Sequence, residues 1–206
     1  MYVKPPLPYS LNALEPYYSE ETLKIHEKLH QGYVDNYNST ISKLRFMRQN
    51  NNFAEIKHME KDLAFYGSGA VLHTLFFENL RPPQTENISK ELNSMFITEF
   101  GGFTNFKKEF SAAATTIEGN GWAILGWHPI LKKYLILTAE NHQNLTIWDY
   151  DPVLVIDTWE HSYFLQYLNQ KAKYIESIWN IINWDVVNDR YMKIKKDYIA
   201  NNQNIY

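Results

Sequence analysis

The sequence predicts an α+β fold, an antiparallel helical hairpin followed by a mixed half that carries strands as well as helices. Three observations lead there. Apolar and aromatic residues recur at three- and four-residue steps over two long stretches, 19–46 and 54–80, joined by a short polar break. Past Pro83 the long periodicity gives way to shorter segments divided by glycines and polar turns. Among these segments, 122–127, 134–138 and 153–156 read as strands. The chain therefore divides into a hairpin unit over 1–84 and a mixed unit over 85–206.

The elements follow in order. Residues 1–18 are irregular, interrupted by Pro5, Pro6, Pro8 and Pro16. Ser19 is an N-cap, and Glu20 and Glu21 fall in the first turn, where the helix dipole favours them. Leu23, His26, His30, Tyr33, Tyr37, Ile41 and Leu44 then lie along one helical face. The stretch 49–53, QNNNF, breaks the pattern, and Arg81-Pro82-Pro83 ends the second helix. Gly67 and Gly69 inside that helix each cost about 1 kcal/mol of propensity, unless a neighbouring element needs to approach closely. Asn87 is placed as the cap of a helix over 88–99 and Thr104 as the cap of another to 117, with Gly101-Gly102 between them. Gly119-Asn120-Gly121 forms a turn before the first strand. His128-Pro129 falls in the first connection between strands, and Asn141-His142-Gln143 in a polar loop after the second. Short helices rich in Tyr and Trp run to about residue 195, and the tail 199–206 is expected to fray.

Composition excludes several functions. There is no cysteine, which removes disulfides, zinc–thiolate sites, iron–sulfur clusters and cysteine nucleophiles. The net charge of −3 is well mixed with no basic block, which argues against nucleic acid and polybasic membrane binding. The proline-bearing N-terminus lacks a signal-peptide core, and no run of about 18 apolar residues exists. A cytoplasmic protein is the expectation.

The candidate chemistry lies in the histidines and in the segment "IDTWEHSYF". Asp157 and His161 stand four apart, directly after the apolar run 153–156. They could be a surface pair, a structural hydrogen bond or two ligands of one metal. Asp157 follows a buried strand, so its charge requires a partner: a helix cap, a salt bridge or an ion. His26 and His30 share one helix face, which fits either a hydrogen-bonded core or a site. His73 sits among Val71, Leu72, Leu75, Phe76 and Phe77, and a buried imidazole there must bond a carbonyl or a metal. His58, His128 and His142 occupy polar surroundings and read as surface residues. Together His26, His73, Asp157 and His161 are three imidazoles and a carboxylate, a donor set that suits Fe, Mn or Zn.

These residues carry a resemblance. "DTWEHSYF" resembles the signature D-x-W-E-H-A-Y-Y of the iron/manganese superoxide dismutases, and the likeness covers nearly the whole chain. "LPYSLNALEPYYSEETLKIH", "GSGAVLHTLFFENL", "GNGWAIL" and "YIESIWNIINWDVVNDRY" are similar to that family's opening, second helix, first strand and C-terminal helices. The resemblance implies a helical hairpin followed by an α/β unit with a three-stranded antiparallel sheet. It implies one manganese or iron ion per subunit between the two units, manganese slightly favoured. His26, His73, Asp157 and His161 would be its ligands. The implied activity is that of an oxidoreductase, disproportionating superoxide to dioxygen and hydrogen peroxide as the metal alternates between +3 and +2. His30 and Tyr33 match a gateway pair that relays protons, and His142 matches a polar group that bonds metal-bound solvent. Trp122, Trp159 and Phe77 would wall the site. Glu160 would orient the ligand histidine of a second subunit, so a homodimer is the minimal assembly, with tetramers left open.

The chain also departs from that family. The step from ligand histidine to tyrosine is seven residues, His26 to Tyr33, where the family has eight. A bulged turn of the family helix, regular in this chain, would absorb the difference. Phe164 replaces a tyrosine, Gly69 stands where some members carry glutamine, and Ile124 replaces a tryptophan. An alternative reading keeps the same ligands but makes the metal structural in a slow or inactive member. An iron oxygenase built on two histidines and one carboxylate would need a mostly β fold, whereas this chain reads as mostly helical.

Overall fold

The structure, a computed structural model, describes residues 1–203. Two long helices, α1 (Glu20–Gln49) and α2 (Ile56–Glu78), form the hairpin. Ser19 caps α1 as expected, its hydroxyl accepting from the Thr22 amide at 3.2 Å. Leu23, His26, His30 and Leu44 of the predicted face are buried, joined by Val34, while Tyr33, Tyr37 and Ile41 are half-buried along its edge. The glycines of α2 mark the packing seam between the two helices. A Cβ on Gly69 would stand 2.7 Å from Cδ1 of Tyr33, so only glycine lets the tyrosine ring lie across α2.

The mixed half follows as α3 (Lys90–Phe100), α4 (Phe103–Thr116), β1 (Gly121–His128), β2 (Lys133–Glu140), β3 (Asp151–Asp157), α5 (Glu160–Tyr167), α6 (Lys171–Ile178), a short 3-10 turn (Trp179–Ile181) and α7 (Trp184–Gln203). The sheet is antiparallel in the order β2-β1-β3. Central β1 is buried along its whole length, which explains why its sequence is apolar throughout rather than alternating. Trp122 of β1 pairs with Asp157 of β3 and with Ala139 of β2, which puts the predicted ligand at the end of the central pair. Among the described residues no helix is long and apolar enough to cross a membrane.

Several local expectations are corrected. Ser89, not Asn87, caps α3, accepting from the Leu92 amide at 3.1 Å. Asn87 instead faces Asp185. Thr104 caps nothing: Gly101 closes α3 at φ 73° and Gly102 leads straight into α4, leaving no residue for a separate cap. His128 is buried rather than exposed. It ends β1, and its Nδ1 accepts from the Leu131 amide at 3.1 Å to close the β1–β2 turn. His58 is exposed, as expected. The last helix is not short: it continues past residue 195 to Gln203, and 204–206, the end of the tail expected to fray, lie outside the described residues.

Two sets of polar ties hold the two halves in register. The Asn79 side chain, at the end of α2, accepts from the Val155 amide of β3 at 2.9 Å, and its carbonyl accepts from Asn183 at 2.6 Å. The Gln166 side chain of α5 accepts from the Ser19 amide at 2.7 Å and donates to the Pro16 carbonyl at 2.9 Å. The first tie fixes α2 against β3, and the second fixes the start of α1 against α5.

Gly69→Ala should overpack this seam. We expect a net loss of about 1–2 kcal/mol, the overpacking cost less the helix-propensity gain. Gly67→Ala meets Tyr37 only at 3.4 Å and should be neutral or stabilising by up to about 1 kcal/mol. Denaturant midpoints of the two variants provide the comparison, and equal midpoints would contradict the close-approach account.

Candidate metal centre

His26 projects from α1, His73 from α2, Asp157 from the end of β3 and His161 from the first turn of α5. Their donor atoms all lie within 4.8 Å of one another. Oδ2 of Asp157 stands 3.1 Å from His26 Nε2, 3.2 Å from His161 Nε2 and 3.6 Å from His73 Nε2. His26, His73 and Asp157 are wholly buried, and His161 is slightly exposed. All four predicted ligands therefore converge on one point.

The remaining atoms of these side chains are held by the protein. Nδ1 of His73 lies 2.7 Å from the Gly69 carbonyl, which can only accept, so Nδ1 carries the proton and Nε2 presents a bare lone pair. Nδ1 of His26 lies 2.7 Å from the Tyr18 hydroxyl. Oδ1 of Asp157 accepts from the Trp159 amide at 2.8 Å, and the Asp157 carbonyl accepts from the Tyr174 hydroxyl at 2.9 Å. The Gly69 carbonyl thus sets the tautomer of His73, and the other contacts hold the His26 ring and the Asp157 carboxylate in place.

The electrostatics suit a cation. Burial lowers the His26 pKa to about 4 against the pull of the nearby Asp157 carboxylate, and burial with the nearby His26 keeps His73 well below its usual range. Burial alone would raise Asp157, but the charge and hydrogen bond of His161, with His26 close by, outweigh it and hold the carboxyl well below the normal value. Burial, reinforced by the charge of Asp157, pushes Tyr18 well up, so it remains a neutral hydroxyl. Nε2 of His26 and of His73 are buried with no hydrogen-bond partner. Orphaned lone pairs grouped around a buried carboxylate fit one iron or manganese ion, and imidazole with carboxylate is the donor set such ions take.

Aromatic rings close the site, as expected of Phe77, Trp122 and Trp159. Phe77 lies 4.9 Å from the His26 ring, Trp122 5.0 Å from His73, and Trp159 stacks on His161 at 5.4 Å. His142, read from sequence as a surface residue and placed near the metal only by resemblance, is buried at the site. It stacks on Trp159 at 4.6 Å, and its Nδ1 accepts from Trp122 Nε1 at 3.0 Å. The indole can only donate, so neutral His142 carries its proton on Nε2, which has no partner among the described residues.

Tyr33 touches both His73 and His142, with ring centroids at 4.9 and 4.7 Å. It also lines a surface groove of about 440 Å³ with Ile25, Lys28, Leu29, Asn36 and Tyr66. The tyrosine thus stands between the outside and the ligands. α1 runs as an uninterrupted α-helix through 26–33, in keeping with a regular turn where one residue fewer is present. The expected pairing of His30 with Tyr33 is split by this geometry. His30 is buried and turned onto α2, its Nε2 3.1 Å from the Ala70 carbonyl and its ring stacked on His73 at 5.6 Å. Glu160 is exposed at the start of α5, and Phe164 is about half exposed.

Sequence reasoning missed Tyr18, the Gly69 carbonyl, Phe65 and Phe76. Tyr18 precedes α1 in an irregular stretch, so no periodicity pointed to it. Phe65 packs on His142 at 4.7 Å and Phe76 on His26 at 5.4 Å; their sequence signal is indistinguishable from that of ordinary core.

Comparison with known proteins agrees with this geometry. The alpha-hairpin domain of the iron/manganese superoxide dismutases matches residues 1–81, and the C-terminal domain of that family matches 88–190. A protein of Pyrobaculum aerophilum named superoxide dismutase (Fe) is 40% identical over 202 residues, 97% of this chain and 96% of that protein. One of Propionibacterium freudenreichii named superoxide dismutase (Mn/Fe) is 41% identical over 198 residues, 95% and 98% of the two chains. A probable superoxide dismutase (Fe) of Bacillus subtilis is 40% identical over 95% of this chain and 70% of its own length. With both domains matched and a three-histidine, one-aspartate cluster at their junction, this chain belongs to the iron/manganese superoxide dismutase family.

Proposed function

We propose that the protein converts two superoxide ions and two protons into dioxygen and hydrogen peroxide. The observation that carries this reading is the convergence of four donors, three of them wholly buried, beside Tyr33 and His142, both of which keep a proton to give. An iron or manganese ion would be held by His26, His73, Asp157 and His161, and would supply the one-electron couple that the disproportionation requires. Glycine at 69, with His142 as the polar group from the loop, slightly favours manganese.

The residues of the chain do the rest. Asp157 brings the only negative charge to the ligand set, so the loaded centre stays positive and draws in a small anion. Tyr33 restricts the entrance to small species, and burial with the charge of Asp157 raises its pKa, so it acts as a neutral donor. His142, fixed as the Nε2–H tautomer by Trp122, keeps an unpaired donor close to the centre, its ring 5.9 Å from that of His73. His30 relays protons from the α2 side. Phe77, Trp122 and Trp159 exclude bulk water, which strengthens each of these contacts. The assembly is a homodimer in which Glu160 orients His161 of a second copy. Exposed Phe164, Leu165 and Leu168 on and just after α5 support that surface. A monomer at micromolar concentration in sedimentation equilibrium would contradict it.

Metal analysis and superoxide decay, followed on the same preparations, test the activity. His161→Ala should lose both the ion and the turnover. Tyr18→Phe should keep the fold and lose about ten- to a hundredfold in metal affinity or activity, because His26 loses its orienting partner. Metal-replete protein without turnover would leave the ion a structural role only.

Stability of the metal-stripped protein should fall on acidification. His26, His30 and His142 are each lowered to about 4, chiefly by burial, from 6.5. Between those values the unfolded chain binds more protons than the folded one, so stability is full above 6.5 and declines towards 4. The slope is at most about 1.4 kcal/mol per pH unit for each group. Thermal midpoints from pH 8 to pH 4 measure it, and a flat profile below 6.5 would contradict the burial of these rings.

A further inference from the structure

His30 needs an explanation of its own. It is buried, it stacks on a ligand, and it is joined to a part of the chain far from any catalytic segment. Its Nε2 lies 3.1 Å from the Ala70 carbonyl and 3.2 Å from the Thr74 hydroxyl. Thr74 donates to the same carbonyl at 2.9 Å, so its oxygen is left to accept. The Tyr2 hydroxyl lies 2.8 Å from that oxygen and donates to it. Every donor in the group then has one acceptor, and the carbonyl requires His30 to carry its proton on Nε2. Nδ1 is left as the free lone pair.

Tyr2 is itself clamped. Its amide donates to Asn38 Oδ1 at 2.9 Å and its carbonyl accepts from Asn38 Nδ2 at 2.8 Å. Two residues on, Lys4 pairs with Glu27 of α1. The N-terminal strap is thus fastened to the outer side of α1 at two points, with the Tyr2 hydroxyl reaching the hairpin seam between them.

We propose that Tyr2 is a positioning residue for His30: through Thr74 it locks the ring against His73 with the proton on Nε2 and the lone pair on Nδ1. The connection is made inside one chain. It gives His30 a partner where Phe164, lacking a hydroxyl, offers none. The inference rests on the reading of His30 as a proton relay.

The test uses the full-length, metal-loaded protein with Tyr2→Phe, Thr74→Val, Thr74→Ser and His30→Gln. Two quantities are read: superoxide turnover, and hydrogen–deuterium exchange at C2 of the His30 ring by mass spectrometry. Cleavage after Lys28 and Lys43 yields the peptide 29–43, in which His30 is the sole histidine. Tyr2→Phe and Thr74→Val should each speed ring exchange and slow turnover by about three- to tenfold, the worth of one lost hydrogen bond. Thr74→Ser should restore both, since it keeps the hydroxyl. Should Thr74→Val fail to fold, Tyr2→Phe at the edge of the fold carries the test alone. Wild-type exchange and turnover in Tyr2→Phe, beside slowed turnover in His30→Gln, would overturn the positioning role and leave the relay standing. Unchanged turnover in His30→Gln would remove the relay, and the exchange rates would still decide whether Tyr2 holds the ring.

Discussion

A single, fully buried carboxylate sets the terms for this structure. Asp157 has no exposed surface, and a bare charge in such a place is unfavourable by several kcal/mol unless it is compensated. One oxygen is satisfied by the Trp159 amide; the other faces three imidazole nitrogens. Two of those nitrogens have no hydrogen-bond partner. A cation resolves both deficits at once, which is why the carboxylate and the orphaned lone pairs occur together. The hydrogen bonds of His73 to the Gly69 carbonyl, of His26 with Tyr18 and of His142 from Trp122 then act as fixtures that hold each ring in place.

Four elements from both halves of the chain must hold the centre, so their relative placement matters more than their individual stability. The Asn79 tie fixes the helix bearing His73 against the strand bearing Asp157. The Gln166 tie fixes the entry to the helix bearing His26 against the helix bearing His161. In both ties a side-chain amide on one half of the chain bonds the backbone of the other. Apolar packing alone is non-directional and would let these elements slide.

One residue fewer between His26 and Tyr33 changes how the entrance is built. On a regular helix the seven-residue step keeps Tyr33 near the face of His26, and Gly69 opens the space in which its ring crosses α2. His30, four residues after His26, turns inward and bonds α2. Leu29 takes a place on the outer groove. Above the cluster, Tyr33 is therefore set in a largely apolar groove, while His30 is turned onto α2.

Much of the architecture was legible in the chain itself. Ser19 with its two glutamates, the two long periodic faces and the breaks at 49–53 and 81–83 defined the hairpin because helix signals are local. The three apolar runs defined the strands for the same reason. Where caps compete, as at Ser89 against Asn87 and Gly102 against Thr104, a difference of one or two residues was decided by which backbone geometry closes first. The ligand set was legible only because "DTWEHSYF" is a specific motif; spacing alone left each histidine with a structural alternative. Tyr18, the Gly69 carbonyl, the burial of His128 and His142 and the inward turn of His30 were decided by tertiary structure. Each depends on a partner far off in the sequence or on a backbone carbonyl, and neither leaves a periodic trace in the amino acids. Local pattern determined what each segment becomes, and long-range packing around one buried charge determined which polar atoms meet.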